Sequence, residues 1–506
     1  MINFKIINKI LGSLLFLEAL LMIVCLGMAF VFGEDDILPF MVSIVVTVFF
    51  GFLFKYHGRN AENRLSRRDS FVVVTLSWLF FSLFGTMPFL FGGYIPSFTD
   101  AFFESVSGFT STGSSVINDV EALPHGILFW RSLSQWLGGL GIVFFTIAIL
   151  PSVVGGSTRV FAAEATGPMQ NKLHPRLSMC AKWLWLVYVF ITASCCACYM
   201  LFGMDWFHGI NYAMTTAATG GFVIDNKCIF ENSPALEYTA TLFCFISGVN
   251  FTLLYFSVSK LKLRNLWKSS EFKFYTFFVL SCAAIVMAEL MAWNGYDFEF
   301  AFRSSIFQVV SLITTTGYSN DDVVRWHHLT WLVLWVGMAV GACGGSTTGG
   351  MKCARVVMLL KIIKNEMRQR LHPNAVLPLK IDGQNVDNSH RVSLLAFTTS
   401  YLLLLLLSVA ILMADNIDVE NSISIAIASL ANAGPSLMFS TTNHIAWSDL
   451  PDLSKWVASA LMLIGRLEIF SILMILTPQF WRENWWDERG QSLIRVMVNS
   501  CFWINR

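Results

Sequence analysis

The chain has 506 residues, 55% of them hydrophobic and 13% charged, with mean hydropathy +0.61 and a formal net charge of +1. Its apolar residues lie in blocks of about 20, the length that crosses a bilayer's hydrocarbon core. Such a composition excludes a water-soluble globular domain and describes an all-α polytopic membrane protein, and the balanced charge gives no basis for a nucleic-acid partner. In chain order ten spans are predicted, over residues 11–32, 38–54, 71–91, 128–150, 183–202, 240–258, 275–293, 329–342, 394–413 and 456–476. The first has too long an apolar core, and no small-residue cleavage site, for a cleaved signal peptide. The eighth continues to residue 360, about twice the length a bilayer requires.

Charge placement sets the expected topology. Lys and Arg gather at 55–68, 159–182, 260–273, 361–380 and 482–506, so these segments and both termini are expected in the cytoplasm by the positive-inside rule. The alternate loops are acidic: Glu34, Asp35 and Asp36, then Asp100, Glu104, Asp119 and Glu121, with further carboxylates at 297–322, 415–420 and 449–452. These acids either form an outer vestibule that concentrates cations or are what positive-inside selection leaves behind.

Between the spans lie four apolar runs too short to cross, 98–110, 207–217, 298–313 and 418–431, all on the expected outer side. Each leads into a glycine-containing turn: Thr110-Ser111-Thr112-Gly113, Ala217-Ala218-Thr219-Gly220, Thr314-Thr315-Thr316-Gly317 and Asn432-Ala433-Gly434. The glycines are 107, 97 and 117 residues apart, the period of a repeated module. Non-helical backbone at membrane depth persists only inside protein or against a wet cavity, so four re-entrant loops imply one shared cavity. A short helix descending from outside brings the negative end of its dipole and its last free carbonyls to mid-membrane. There, a ring of carbonyls can replace the water a monovalent cation gives up. Glycine at 113, 220, 317 and 434 is expected to supply the backbone freedom that turns carbonyls toward one axis. In the first three turns the preceding threonine adds a hydroxyl, as ligand or brace. The candidate ion-binding residues are Thr110, Ser111, Thr112, Gly113, Ala218, Thr219, Gly220, Thr315, Thr316, Gly317, Asn432, Ala433 and Gly434.

Two features fall on the cytoplasmic side of these turns. The eighth span is interrupted after Gly341 by Ala342, Cys343, Gly344, Gly345, Ser346, Thr347, Thr348, Gly349 and Gly350, and five glycines in ten residues break a helix. A loop at this point would lie beneath the turns and obstruct the path; the alternative is a broken packing helix. A phosphate loop fits poorly, since Met351 separates Gly350 from Lys352, the Walker spacing fails, and the stretch lies inside a span. The tenth span carries Arg466 and Glu468. An arginine inside a membrane is functional by default, here as a barrier to cations, with a structural ion pair as the alternative. Two residues apart on a helix, Arg466 and Glu468 point in different directions, so a direct pair is not expected. Of eleven cysteines the closest group, Cys195, Cys196 and Cys198, lies in one apolar helix and reads as buried thiols.

The residues resemble the Trk/Ktr/HKT superfamily of potassium transport proteins, closest to the TrkH-type membrane subunit of bacterial Trk systems. Beyond the four turns, the resemblance rests on Phe129–Ile142, Glu164–Pro168, Gly248–Tyr255, the segment ending Gly349-Gly350-Met351-Lys352, and Gly465–Phe470 followed by Thr477–Trp481. It implies four membrane-pore-membrane repeats in a pseudo-fourfold arrangement around one potassium pathway, at 59–160, 161–262, 263–385 and 386–482. An N-terminal helix pair at 1–58 and a cytoplasmic tail at 483–506 complete the expected organisation. The resemblance further implies a selectivity filter at the four turns, a gating loop at 342–350, the pore arginine Arg466, and no cofactor in this chain other than bound potassium. The expected setting is the bacterial inner membrane, as a homodimer working with a cytosolic TrkA-like nucleotide-binding ring. One departure is the fourth turn, which lacks threonine before its glycine. Glycine in all four turns favours potassium, since sodium-preferring plant members carry serine in the first.

Other functions stay open on the sequence: the potassium-binding subunit of a KdpA-like primary pump, or a symporter coupling potassium to sodium or protons. An intramembrane enzyme has little support, because no His-Glu-x-x-His helix or suitable carboxylate pair is present.

Overall fold

In a computed structural model of the chain, residues 2–61, 65–141, 177–227, 230, 233–259, 263–375, 377–434 and 446–481 are described. Helices α1 (Phe4–Phe32) and α2 (Ile37–His57) form a packed pair at the N-terminal end, with α1 also against the bundle that follows. From residue 67 one succession recurs four times: a long helix, a half-helix, a turn, and a helix that ends or breaks beneath that turn.

The first unit comprises α3 (Arg67–Gly85) with the short α4 (Met87–Phe91), half-helix α5 (Phe98–Phe109) and α6 (His125–Leu140). The second is α7 (Leu177–Leu201), half-helix α8 (Trp206–Ala218), α9 (Pro234–Ser247) and α10 (Phe251–Ser259). The third is α11 (Ser270–Trp293), half-helix α12 (Phe298–Ile313), α13 (His328–Val340) and α14 (Cys353–Leu371). The fourth is α15 (Asn388–Ala414), half-helix α16 (Val419–Ala431), α17 (Asp452–Arg466) and α18 (Phe470–Leu476). A two-stranded hairpin pairs Lys380–Ile381 with Gln384–Asn385 after α14.

Burial divides these helices as their sequences do. The long helices keep apolar side chains such as Phe49, Phe190, Phe277 and Leu406 exposed, which in a bilayer meet lipid rather than water. The half-helices are buried along their last two turns, from Ser105 to Phe109 in α5 and from Ser424 to Ala431 in α16. At their outer ends the Ser97 and Asp205 side chains accept the first free N–H groups of α5 and α8, while Asp100, Glu299 and Glu420 sit in the first turns of α5, α12 and α16. Acidic and capping groups there complement the positive dipole ends.

Two expected straight spans are bent. The predicted span 240–258 is α9 and α10 meeting at 100°, and 456–476 is α17 and α18 meeting at 115°. At the first bend Asn250 begins the new helix, its Oδ1 accepting from Leu253 N–H at 3.1 Å. The second bend places Glu468 and Ile469 at positive φ, 57° and 54°. Among the described residues six helices are long and apolar enough to cross a membrane, or eight if each bent pair counts as one span. The predicted span 128–150 passes beyond Gly141 out of the described residues, and the eighth is interrupted as expected, with α13 ending at Val340. The Arg64, Arg159, Lys172, Arg176 and C-terminal clusters, Glu164–Pro168 and the tail also lie outside the described residues. Cys195 is buried, but Cys196 and Cys198 are only half-buried.

Candidate functional site

Each half-helix ends in the same way. Ser111, Thr219, Thr315 and Asn432 adopt left-handed conformations, with φ between 52° and 56°. The next residue in each, Thr112, Gly220, Thr316 and Ala433, donates its N–H to a carbonyl five positions back, at 2.8 to 2.9 Å. This is the cap that stops a helix with an αL residue, and it fixes the equivalences among the turns. The glycine that follows has positive φ in every case: Gly113 at 91°, Gly221 at 75°, Gly317 at 91° and Gly434 at 76°.

The second turn is therefore one residue out of the expected register. Gly221, not Gly220, is the equivalent of Gly113, Gly317 and Gly434, and Gly220 is absent from the positive-φ glycines. Threonine consequently precedes the glycine in two turns, at Thr112 and Thr316, while Gly220 and Ala433 hold that place in the other two. The Thr112 and Thr316 hydroxyls lie 2.7 and 2.8 Å from those of Thr110 and Thr314, which in turn donate to Val106 O and Val310 O. They brace their own turns.

The turns interlock. A Cβ added to Gly113 would overlap Gly220 O, one on Gly221 would overlap Thr316 O, and one on Gly434 would overlap Thr112 O. Each of these glycines thus lies with its Cα against the carbonyl that precedes the glycine of a neighbouring turn. Only a residue without a side chain permits that approach, and positive φ gives a second reason for glycine there. Side chains join the same neighbours: Ser114 Oγ donates to Gly434 O at 2.9 Å, and the Tyr318 hydroxyl lies 2.5 Å from that of Thr215. Asn432 Nδ2 donates to Thr112 Oγ1 at 3.0 Å and to Met462 O at 2.9 Å.

The loop 341–350 packs directly under these turns. Thr347 Oγ1 lies 3.2 Å from both Ala217 O and Thr219 Oγ1, Gly349 N–H donates to Thr315 Oγ1 at 2.8 Å, and Gly350 N–H donates to Ala431 O at 2.9 Å. It is thereby fastened to the ends of the second, third and fourth half-helices. Farther along, Gly344 is held between Glu271 Oε1, which accepts its N–H at 2.5 Å, and Asn250 Nδ2, which donates to its carbonyl at 2.6 Å. Lys352 Nζ donates to Thr348 O.

Arg466 closes the arrangement. Its guanidinium donates to Thr347 O at 2.8 Å, to Gly139 O at 2.7 Å and to Gly138 O, bridging the loop to the end of α6 in the first unit. Glu468 pairs with Arg355 instead, as the positive-φ break after Arg466 turns it the other way.

The outer acids divide into two groups. Glu104 and Asp36 are buried, and Asp100 pairs with Lys455 at 2.6 Å, so these three do not line an open vestibule. Asp119 and Glu121 instead accept from Asn226 near the surface. Sequence reading missed the partner of Glu104, namely Arg131 on α6. Arg131 Nε lies 2.9 Å from Glu104 Oε1, with both side chains at most 1% exposed. Glu104 also accepts from Ser115 Oγ and Val116 N–H, and Arg131 donates to Val223 O at 2.8 Å and stacks over Phe222. This pair holds the segments leaving the first and second turns. Its sequence signal is a lone arginine inside a run expected to span the membrane.

Removing one member leaves a buried charge, at a cost of about 3–5 kcal/mol. Glu104→Gln is therefore expected to lower the thermal midpoint of the detergent-solubilised protein sharply, with Glu104→Gln/Arg131→Met recovering part of the loss. A midpoint unchanged in the single variant would remove the pair from any structural role.

The cation transport protein family model named TrkH matches residues 37–483. The Trk system potassium uptake protein TrkH of Halomonas elongata is 35% identical over 484 residues, covering 95% of this chain and 100% of that one. The protein of the same name from Escherichia coli K12 is 33% identical over 487 residues, with 95% and 100% covered. The crystal structure of the potassium transporter TrkH from Vibrio parahaemolyticus superposes with a TM-score of 0.86 at 32% identity, over 95% of this chain and 100% of that chain. A multi-pass helical fold, four half-helices and a full-length match in sequence and structure agree: the chain belongs to the TrkH family of cation transport proteins, which are transporters rather than enzymes.

Proposed function

We propose that this protein admits potassium to the cell along one path through the four turns, with Thr112, Gly220, Thr316 and Ala433 presenting a ring of carbonyls. The observation that carries the reading is the interlock of Gly113, Gly221 and Gly434 against the carbonyls of Gly220, Thr316 and Thr112, which joins the four turns in succession. Backbone dipoles so held substitute for the hydration shell of a cation that has lost its water. The filter residues are those expected from the sequence, Thr110–Gly113, Ala218–Gly220, Thr315–Gly317 and Asn432–Gly434, with Gly221 added. The relatives are named as potassium uptake proteins of Trk systems, which supports potassium as the cargo and other Trk components as partners.

The loop from Ala342 to Gly350 serves as the gate, with Arg466 as its cationic fastening. In this reading the four units act as repeats in the inner membrane, with both termini in the cytoplasm. The protein works as a homodimer, and a cytosolic TrkA-like nucleotide-binding ring engages its basic face. Inward movement of potassium then draws on the membrane potential, worth about 2.3 kcal/mol per charge per 100 mV.

Gly113→Ser tests the filter. Its side chain meets the Gly220 carbonyl at a position of positive φ, so the ring must shift. The expected result is a loss of potassium over sodium preference of roughly tenfold, equivalent to about 1.4 kcal/mol, read from reversal potentials in mixed potassium and sodium. Wild-type reversal potentials in the inserted variant would remove the filter from this turn.

A further inference from the structure

We propose that Gln135 is a positioning residue for the carbonyl ring and that it sets the preference for potassium over sodium by fixing the carbonyl of Gly220. The inference rests on the potassium path proposed above. Gln135 lies on α6 and is wholly buried. Its Nε2 donates to Gly220 O at 2.8 Å, and its Oε1 accepts from Phe222 N–H at 3.0 Å, so one side-chain amide spans Gly221 from both flanks. The backbone donor at Phe222 assigns which end of the amide is oxygen, leaving nitrogen for Gly220. The backbone carbonyl of Gln135 also accepts from Ser111 Oγ at 3.3 Å, so the residue joins the first and second turns.

The contact accounts for the doubled glycine of the second turn. A Cβ on Gly220 would sit 2.5 Å from Gln135 Cδ, whereas Gly221 is required by its φ of 75° and by Thr316 O. Two adjacent glycines thus serve two different neighbours. Among the described residues, the equivalent carbonyls of Thr112 and Thr316 receive no side-chain donor. The ring is therefore asymmetric: one of its carbonyls is held in direction by an amide.

A carbonyl tethered in this way cannot tip inward to coordinate a smaller ion, while an ion matched to the resting ring needs no movement. Removal of the donor frees Gly220 O to follow sodium. Gln135→Met keeps the length of the side chain without its hydrogen bonds, and Gln135→Leu is a second apolar replacement. Each is expected to lower the potassium to sodium permeability ratio about fivefold, the factor that about 1 kcal/mol from one hydrogen bond provides. Potassium flux should continue.

The experiment measures reversal potentials of the full-length variants in proteoliposomes, with Gly113→Ser alongside. A lowered ratio in either inserted Gln135 variant supports the proposal. Wild-type ratios in the Gln135 variants with an altered ratio in Gly113→Ser would overturn it and leave the filter reading standing. Wild-type ratios in all three would end both. Failure of both Gln135 variants to insert would mark a folding residue, and that too overturns the proposal.

Discussion

Deletion of Gly344–Thr348 is expected to raise potassium flux through reconstituted protein by about tenfold or more with no cytosolic partner present, a barrier change of about 1.4 kcal/mol or greater. The deleted segment includes Thr347, which touches the second half-helix through Ala217 O and Thr219 Oγ1 and holds Arg466 through its own carbonyl. Without it, the floor beneath the turns keeps only Gly349 and Gly350. The deletion is also compatible with folding, because the loop is closed at its neck. Cys353 N–H donates to Ala342 O at 2.8 Å and Met351 N–H to Ala339 O at 3.0 Å, while Gly341 packs against Gly349 and Gly350. These neck contacts all lie outside the deleted segment and hold α13 to α14 without it. Flux per inserted protein is the measurement. Reduced flux in a well-folded deletion would make the loop a structural element and not a gate.

The half-helices and the broken eighth span were legible because they depend on local signals: an apolar run too short to cross and glycines at its end. The expected half-span 298–313 coincides with α12, and the bounds of the other three agree within one residue. Register in the second turn was not legible. Gly220 and Gly221 are adjacent, and what separates them is long-range: Gln135 lies against one and Thr316 O against the other. Thr219 resembles Thr112 and Thr316 in sequence, although it occupies the left-handed position of Ser111 and Thr315.

The bends at 248–250 and 467–469 escaped notice for a related reason. Averaged over the length of a span, hydropathy stays high across both, even with Arg466 and Glu468 at the second, and a helix broken inside protein keeps its apolar flanks. Asn250 was nevertheless a readable start signal, an N-cap residue following Gly248. At the second bend no such signal exists, since Ile469 is β-branched and disfavours the positive φ it adopts. Its conformation depends on surrounding packing, where it is buried against Phe397 and Tyr401 on α15. Partner choice was likewise invisible. Glu104 meets Arg131 across 27 positions, and Glu468 meets Arg355 across 113.

Arg466→Ala is expected to increase conduction about tenfold, and comparison with Arg466→Lys identifies the cause. A guanidinium repels a cation 4 Å away by about 4 kcal/mol at an effective dielectric constant of about 20. Its bonds to the carbonyls of Gly138, Gly139 and Thr347 spread that charge and lower the effect. The same three bonds give Arg466 a mechanical role, since they join α6 to the loop. Lysine keeps the charge but presents a compact ammonium in place of a planar fork, and it cannot reach both partners with the same geometry. If charge forms the barrier, Arg466→Lys conducts close to wild type while Arg466→Ala conducts faster. Equal gains in the two variants would assign the effect to release of the loop. Yield of folded protein in detergent separates both from a purely structural role, in which removal of the half-buried guanidinium lowers stability and flux together; that joint loss would end the barrier reading.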